Sequence, residues 1–406
     1  MKFLWQSPML RTVAIYTASG LGFAGANLIL ARVLPAVEYG LFTLVIALVN
    51  LGFSVATLGL DGVVNRRQLA AGPKLLRRSV GAALIVGLGL AAISFLAYEL
   101  SLAIVLGIFV CTFAGGIMMV AAAKFQSEQR FGISLSLSQS PNLVLLFAAV
   151  IIVLTQSRTA WHPISILAAG FVVAALVGWW VLLDHRRGSI SSQQFSWTEA
   201  LSFAGLNAAG LVLLQLDRLV IPHLLSVQDL ATYGVLAAVA GSLFRMMSMG
   251  VGYTLVPRLR VADSVVERRR LISHEAKLVS GVLVAGVAAI WIITPWIERW
   301  VLADKYHLSG ALLLAAIISG VVKVTNSFTK SVVSALATTS ELAWINVFGW
   351  ASVALAIFAA FVGARWGLAG VIYGVTMGWL MRALTALYFA FRHLRLPSAV
   401  PATAAR

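Results

Sequence analysis

Four basic side chains sit where charge is costly. Arg245, Lys323, Lys330 and Arg382 fall inside long apolar runs and belong to no loop. A charge near a bilayer centre costs a few kcal/mol on insertion scales, so it normally faces protein or a wet cavity. Arg245 is flanked by Gly241 and Gly250, with Met246, Met247 and Met249 beside it. Lys323 shares its run with Ser319, Asn326, Ser327, Lys330 and Ser334, at helical steps that put a polar stripe on one face. Lys330 and Arg382 lie nearer the ends of their runs, within snorkelling reach of headgroups. No acid lies at comparable depth: Asp61 and Asp217 are near run ends, Asp217 beside Arg218. A cavity lined this way is net positive and suits an anion, because Arg and Lys make charge-assisted bonds to phosphate oxygens. Arg245, Lys323, Arg382 and Lys330, with Arg32 at the end of the first run, are the candidate substrate ligands. Asp61, Arg66 and Asp217 are candidates for gating or ion coupling.

The elements that must hold these residues are membrane helices. Hydrophobic residues make up 60% of the chain and charged ones 11%, against about 25% charged in a soluble domain; mean hydropathy is +0.94. A net charge of +16 would suggest nucleic acid in a soluble protein. Here the cations sit between apolar runs, where they set topology and meet anionic lipid headgroups, and no nucleic-acid partner is expected. The lone Cys111 excludes an intramolecular disulfide and a cysteine-cluster metal site. The six histidines lack metal-ligand spacing. No cofactor is implied, and the identity of a coupling ion, H⁺ or Na⁺, is left open. Trp5, Trp161, Trp197, Trp296, Trp300 and Trp366 near run ends read as an aromatic belt.

Measured against the ~20 residues a spanning helix needs, the apolar runs predict twelve spans, near 9–31, 40–62, 79–98, 102–123, 133–154, 164–183, 199–220, 230–256, 277–297, 308–336, 342–363 and 367–391. Pro141 is expected to break the fifth. The first run carries Arg11 and continues past Ala26, so it reads as a retained span rather than a cleaved leader. Connections are short, leaving no room for a soluble domain. Lys and Arg alternate across the spans: Lys2 and Arg11, the cluster from Arg66 to Arg78, Lys124 and Arg130, Arg186 and Arg187, Arg258 to Lys277, and the C-terminal Arg392, Arg395 and Arg406 share one side. The positive-inside rule makes that side, with both termini, cytoplasmic. A long-period echo accompanies the alternation. Tyr39-Gly40, Gly59 and a basic cluster return as Tyr233-Gly234, Gly252 and Arg258, Arg260 and Arg268 to Arg270, at nearly matched spacing. The expectation is an all-α membrane protein of about twelve helices in two six-helix lobes, 1–190 and 191–406, forming a parallel repeat around a central cleft.

The stretch LARVLPAVEYGLFTLVIALVNLGFSVATLGLDGVVNRR, from Leu30 to Arg67, resembles the polysaccharide transporter branch of the flippase superfamily that also holds the multidrug and toxin extrusion exporters. KFQSEQRF at Lys124–Phe131 and RWGLAGVIYG at Arg365–Gly374 look like two further patches of that family. The resemblance implies an inner-membrane flippase, not an enzyme, that moves undecaprenyl-pyrophosphate-linked oligosaccharide outward by alternating access. Such a protein serves O-antigen, capsule or exopolysaccharide assembly, beside polymerase and chain-length machinery. It also implies that cavity cations hold the pyrophosphate, as Arg245, Lys323 and Arg382 would here. A cationic-drug exporter of the sister branch is the alternative, set back by the want of buried acids. A membrane polymerase or ligase is further off, because the outer loops are short for a catalytic domain.

Overall fold

A computed structural model describes residues 8–184, 195–245 and 264–395, with scattered positions between 247 and 262. The described residues are helical apart from short turns, in the order α1 (Pro8–Val33), α2 (Ala36–Val55), α3 (Leu60–Arg67), α4 (Pro73–Tyr98), α5 (Leu102–Ser127), α6 (Phe131–Thr155), α7 (Trp161–Asp184), α8 (Trp197–Leu224) and α9 (Val227–Leu236). A π-helical turn, Ala237–Gly241, carries α9 on to Arg245. Then follow α10 (Val265–Trp296), with its own π-helical extension Ile297–Val301, α11 (Gly310–Leu336), α12 (Thr339–Gly363) and α13 (Gly367–Arg395). Lys2, Arg186, Arg187, Gly252, Arg258, Arg260 and Arg406 of the sequence reading lie outside the described residues, as do Trp5, Met246, Met249 and Gly250.

Among the described residues nine helical segments are long and apolar enough to cross a membrane, ten if the bent α8 counts as one span. One of the nine, Ala343–Leu394, is the hairpin of α12 and α13, and Ala18–Val33 adds a shorter apolar helix within α1. Apart from an interruption in the 40–62 run and the first two residues of the 308–336 run, every predicted run is helical wherever it is described.

Two local expectations fail for identifiable reasons. The 40–62 run is not one helix: α2 ends at Val55, and Leu58 and Gly59 take positive φ before α3 begins. A Cβ on Gly59 would lie 1.9 Å from the Ala200 carbonyl oxygen, so both the turn and its packing demand glycine. Nor does Pro141 break α6, which runs unbroken through it. Proline leaves the Leu137 carbonyl without its helical donor, and the Ser140 hydroxyl donates to that oxygen at 2.7 Å. A neighbouring side chain thus repairs the gap, as membrane helices commonly arrange.

Packing groups the chain into two compact units, and they do not coincide with the halves 1–190 and 191–406. The first takes the chain through Ala238 together with Trp296–Leu308; the second takes Val239–Pro295 and Ser309 onward. In the first unit α2 and α5 are central, burying Tyr39, Phe42, Leu48, Ile108, Met118 and Phe125. The two Tyr-Gly pairs of the sequence echo meet here, at the crossing of α2 and α9. Gly40 lies against Val227, and Gly234 lies against Thr43 and Tyr39. In the second unit α13 packs on both α11 and α12. Gly363, Gly374 and Gly378 let the α12–α13 backbones touch in antiparallel register.

Candidate functional site

The second unit holds three of the four deep cations on one seam. Along α11, Ser319, Lys323, Asn326 and Lys330 follow at steps of four, three and four, which stacks them on a single helical face. α13 supplies Trp379 and Arg382, one turn apart. The Lys323 ammonium sits 5.8 Å from the centroid of the Trp379 ring, a cation–π distance. Arg382 lies close enough to Lys330 for its charge to act on that ammonium. Neither α11 nor α13 contains an Asp or Glu.

Burial makes this concentration of charge consequential. Arg382 is 8% exposed, and its Nη1 is buried with no hydrogen-bond partner among the described residues. Trp379 Nε1, Ser319 Oγ and Asn326 Oδ1 are buried in the same condition. Lys323 is half-buried and Lys330 exposed. An orphaned guanidinium N–H beside a like charge is costly unless water or an anion meets it. Arginine presents a planar fork suited to carboxylate or phosphate, and indole N–H adds a neutral donor. The donors on this seam are of the kinds that suit an anionic group.

The remaining predicted residues are placed as follows. Arg245 belongs to the same unit and has an exposed side chain. Its neighbour Phe244 packs its ring on Gly320, which brings the α9 extension to α11 less than one turn before Lys323. Arg32 lies in the other unit, exposed at the end of α1, where Nη1 donates to the Trp300 carbonyl at 3.3 Å. It does not join the seam. Asp61 accepts from the Thr57 hydroxyl at 2.8 Å. Arg66 and Arg67 both pair with Glu199, at 3.2 and 2.6 Å, fastening α3 to the start of α8. Asp217 is buried and accepts a hydrogen bond from Tyr233, with Arg218 nearby.

Sequence reasoning missed Trp379 in the seam, although its position one turn before Arg382 was a usable signal. Nor does anything in the sequence single out Lys305, a cation between two apolar runs. That ammonium donates to the carbonyls of Ala31 at 2.8 Å, Arg32 at 3.4 Å and Leu34. Only the folded chain joins residues so far apart.

No protein-family model matches the chain, and no curated protein sequence matches it. Solved structures do. An inward-facing multidrug resistance MATE family transporter of the MOP superfamily superposes with a TM-score of 0.67 at 12% identity, covering 96% of this chain and 98% of that one. An outward-facing structure of such a transporter gives 0.58 at 12% identity over 96% and 97%. A MOP superfamily transporter from Pyrococcus furiosus, described by a reverse polarity of its binding pocket that suggests a different function, gives 0.60 at 12% over 96% of each chain. At such identities the likeness concerns the backbone, and it is nearly end to end. The chain has the all-helical, two-lobed membrane fold of MATE-type transporters in the MOP superfamily.

Proposed function

We propose that this chain is an inner-membrane transporter that exports an amphiphile bearing an anionic group, and that the α11–α13 seam meets that group. The observation that carries the reading is Arg382, a buried guanidinium beside Lys330, on helices without a carboxylate. Alternating access is supported by solved structures of similar fold in inward-facing and outward-facing forms. The Pyrococcus furiosus neighbour supports the polarity argument, because its own pocket is described as reversed. None of the three neighbours named is an enzyme.

Among the transport readings two cargoes compete. The names of the neighbours weigh toward a multidrug exporter, and they favour it over the oligosaccharide branch. Undecaprenyl-pyrophosphate-linked oligosaccharide rests on the cations and on the sequence resemblance around Leu30–Arg67. Under either cargo Asp61 and Asp217 are the proposed coupling carboxylates, Asp217 being the buried one.

Binding to purified protein separates the readings. Farnesyl pyrophosphate, an anionic amphiphile, should raise the Tm, and Arg382→Gln should weaken that binding about tenfold, the loss of one charge-assisted hydrogen bond. Lys323→Gln should weaken it too, whereas Arg32→Gln should leave it unchanged. Ethidium, a cationic drug, should bind poorly to the parent. Strong ethidium binding indifferent to Arg382→Gln would move the chain to cationic drug export. Loss of surface glycan in a deletion strain would single out the oligosaccharide.

A further inference from the structure

The connection between α10 and α11 is built as a latch. α10 and α11 belong to the second unit, yet the thirteen residues Trp296–Leu308 between them pack as part of the first. Leu302, Tyr306 and Leu308 are each 5% exposed or less. Tyr306 sets its ring edge-on to Tyr39 of α2, with centroids 6.2 Å apart.

The fastening is concentrated in one side chain. α1 ends at Val33, leaving its last carbonyls without helical donors. The Lys305 ammonium donates to three carbonyls there, those of Ala31, Arg32 and Leu34. It therefore caps the helix from a residue more than 270 positions away, at the negative end of the α1 dipole. Arg32 returns a bond from α1 to the Trp300 carbonyl. The tip is also tied to itself. Glu298 accepts from the Leu308 N–H through its side chain and from the Asp304 N–H, at 2.9 Å, through its carbonyl.

Two features weigh against the docked state. Ala303 and Asp304 both hold φ in the left-handed region, at 52° and 57°, an unfavourable conformation for alanine in particular. Lys305 is exposed, so water competes with the α1 carbonyls for its ammonium.

We propose that Lys305 is the bolt of a latch that fastens the α10–α11 tip to the end of α1 and the start of α2, and that it withdraws when this end of the transporter opens. The device has two states. Docked, the ammonium satisfies the α1 carbonyls and Tyr306 covers Tyr39; withdrawn, water solvates the ammonium and the Ala303–Asp304 turn relaxes. Opening of this end rests on the transport reading, but the latch is tested without substrate.

Spin labels at Val37 and His307, both exposed, in a Cys111→Ala chain in lipid nanodiscs report the tip's distance from α2 by electron double resonance. The parent should show one dominant short distance. Lys305→Met keeps the side-chain length and removes the donors; it should raise the long-distance to short-distance ratio about tenfold. Lys305→Arg still donates and should stay close to the parent. Glu298→Ala removes the side-chain bond to Leu308 and leaves Lys305 in place; it should raise the same long-distance population, and it covers the case in which Lys305→Met fails to accumulate. A Lys305→Met or Glu298→Ala distribution identical to the parent overturns the latch, as does a Lys305→Arg distribution as open as Lys305→Met. Neither result touches the anion assay at Arg382, so the two readings fail separately.

Discussion

Glu341 shows how one carboxyl organises the start of a helix. Thr338 and Glu341 form a reciprocal capping box at the N-terminus of α12, and Glu341 Oε2 also lies 2.7 Å from His393 Nε2 on α13. Burial alone would raise the Glu341 pKa. The hydrogen bonds from the Thr338 backbone, the His393 ring and the Thr338 hydroxyl outweigh it, and the carboxyl sits below its ordinary value of 4.5. A depressed carboxylate stabilises the fold above its unfolded pKa, and the gain is lost as pH falls through the folded one. The Tm of the parent should therefore drop as pH falls below about 4.5. Glu341→Gln keeps the capping geometry and discards the charge, so its acid limb should be flatter and its neutral-pH stability lower by about 1 kcal/mol. Parallel acid limbs for the two proteins would remove Glu341 from this role.

Helix elements are decided by repairs that hydropathy does not register. In α6 the Ser140 hydroxyl supplies the Leu137 carbonyl with the bond that Pro141 cannot. Ser140→Ala should cost about 1 kcal/mol of thermal stability in detergent. In a Pro141→Ala chain the same change should cost much less, because the substituted alanine would bring its own N–H to that carbonyl. Equal costs in both backgrounds would mean the hydroxyl serves some other purpose, such as its 3.6 Å contact with Met118 Sδ. The turn after α2 makes the complementary point. Leucine-rich sequence continues through Leu58 and Leu60, yet Gly59 folds the chain back against Ala200.

At the scale of the whole molecule, the alternation of Lys and Arg proposes an orientation with the loops near residues 74 and 264 in the cytoplasm and the α12–α13 turn outside. Lys74, Ser264 and Arg365 are all exposed and serve as probes. In a Cys111→Ala background, Lys74→Cys and Ser264→Cys should be shielded in intact cells from an impermeant thiol reagent, and Arg365→Cys should be labelled. The opposite pattern would invert the topology and, with it, the direction of export. The repeat has a physical meaning that the echo alone does not convey. Its two Tyr-Gly pairs occupy one crossing inside one compact unit, where glycine permits α2 and α9 to touch.

The sequence by itself determined the class of the fold, the apolar runs and the four cations that fall inside them, because hydropathy, charge placement and helical period are local properties. Lys323 and Lys330 were legible as one face of α11 for the same reason. Their union with Trp379 and Arg382 was not, since it depends on which helix packs beside α11. Arg32 illustrates the limit from the other side: its charge was legible, but its partner, the Trp300 carbonyl, lies 268 positions away. Lys305 is the fullest case. A lysine in a short polar loop reads as solvated, and only tertiary structure, by presenting the unbonded carbonyls at the end of α1, turns it into a cap.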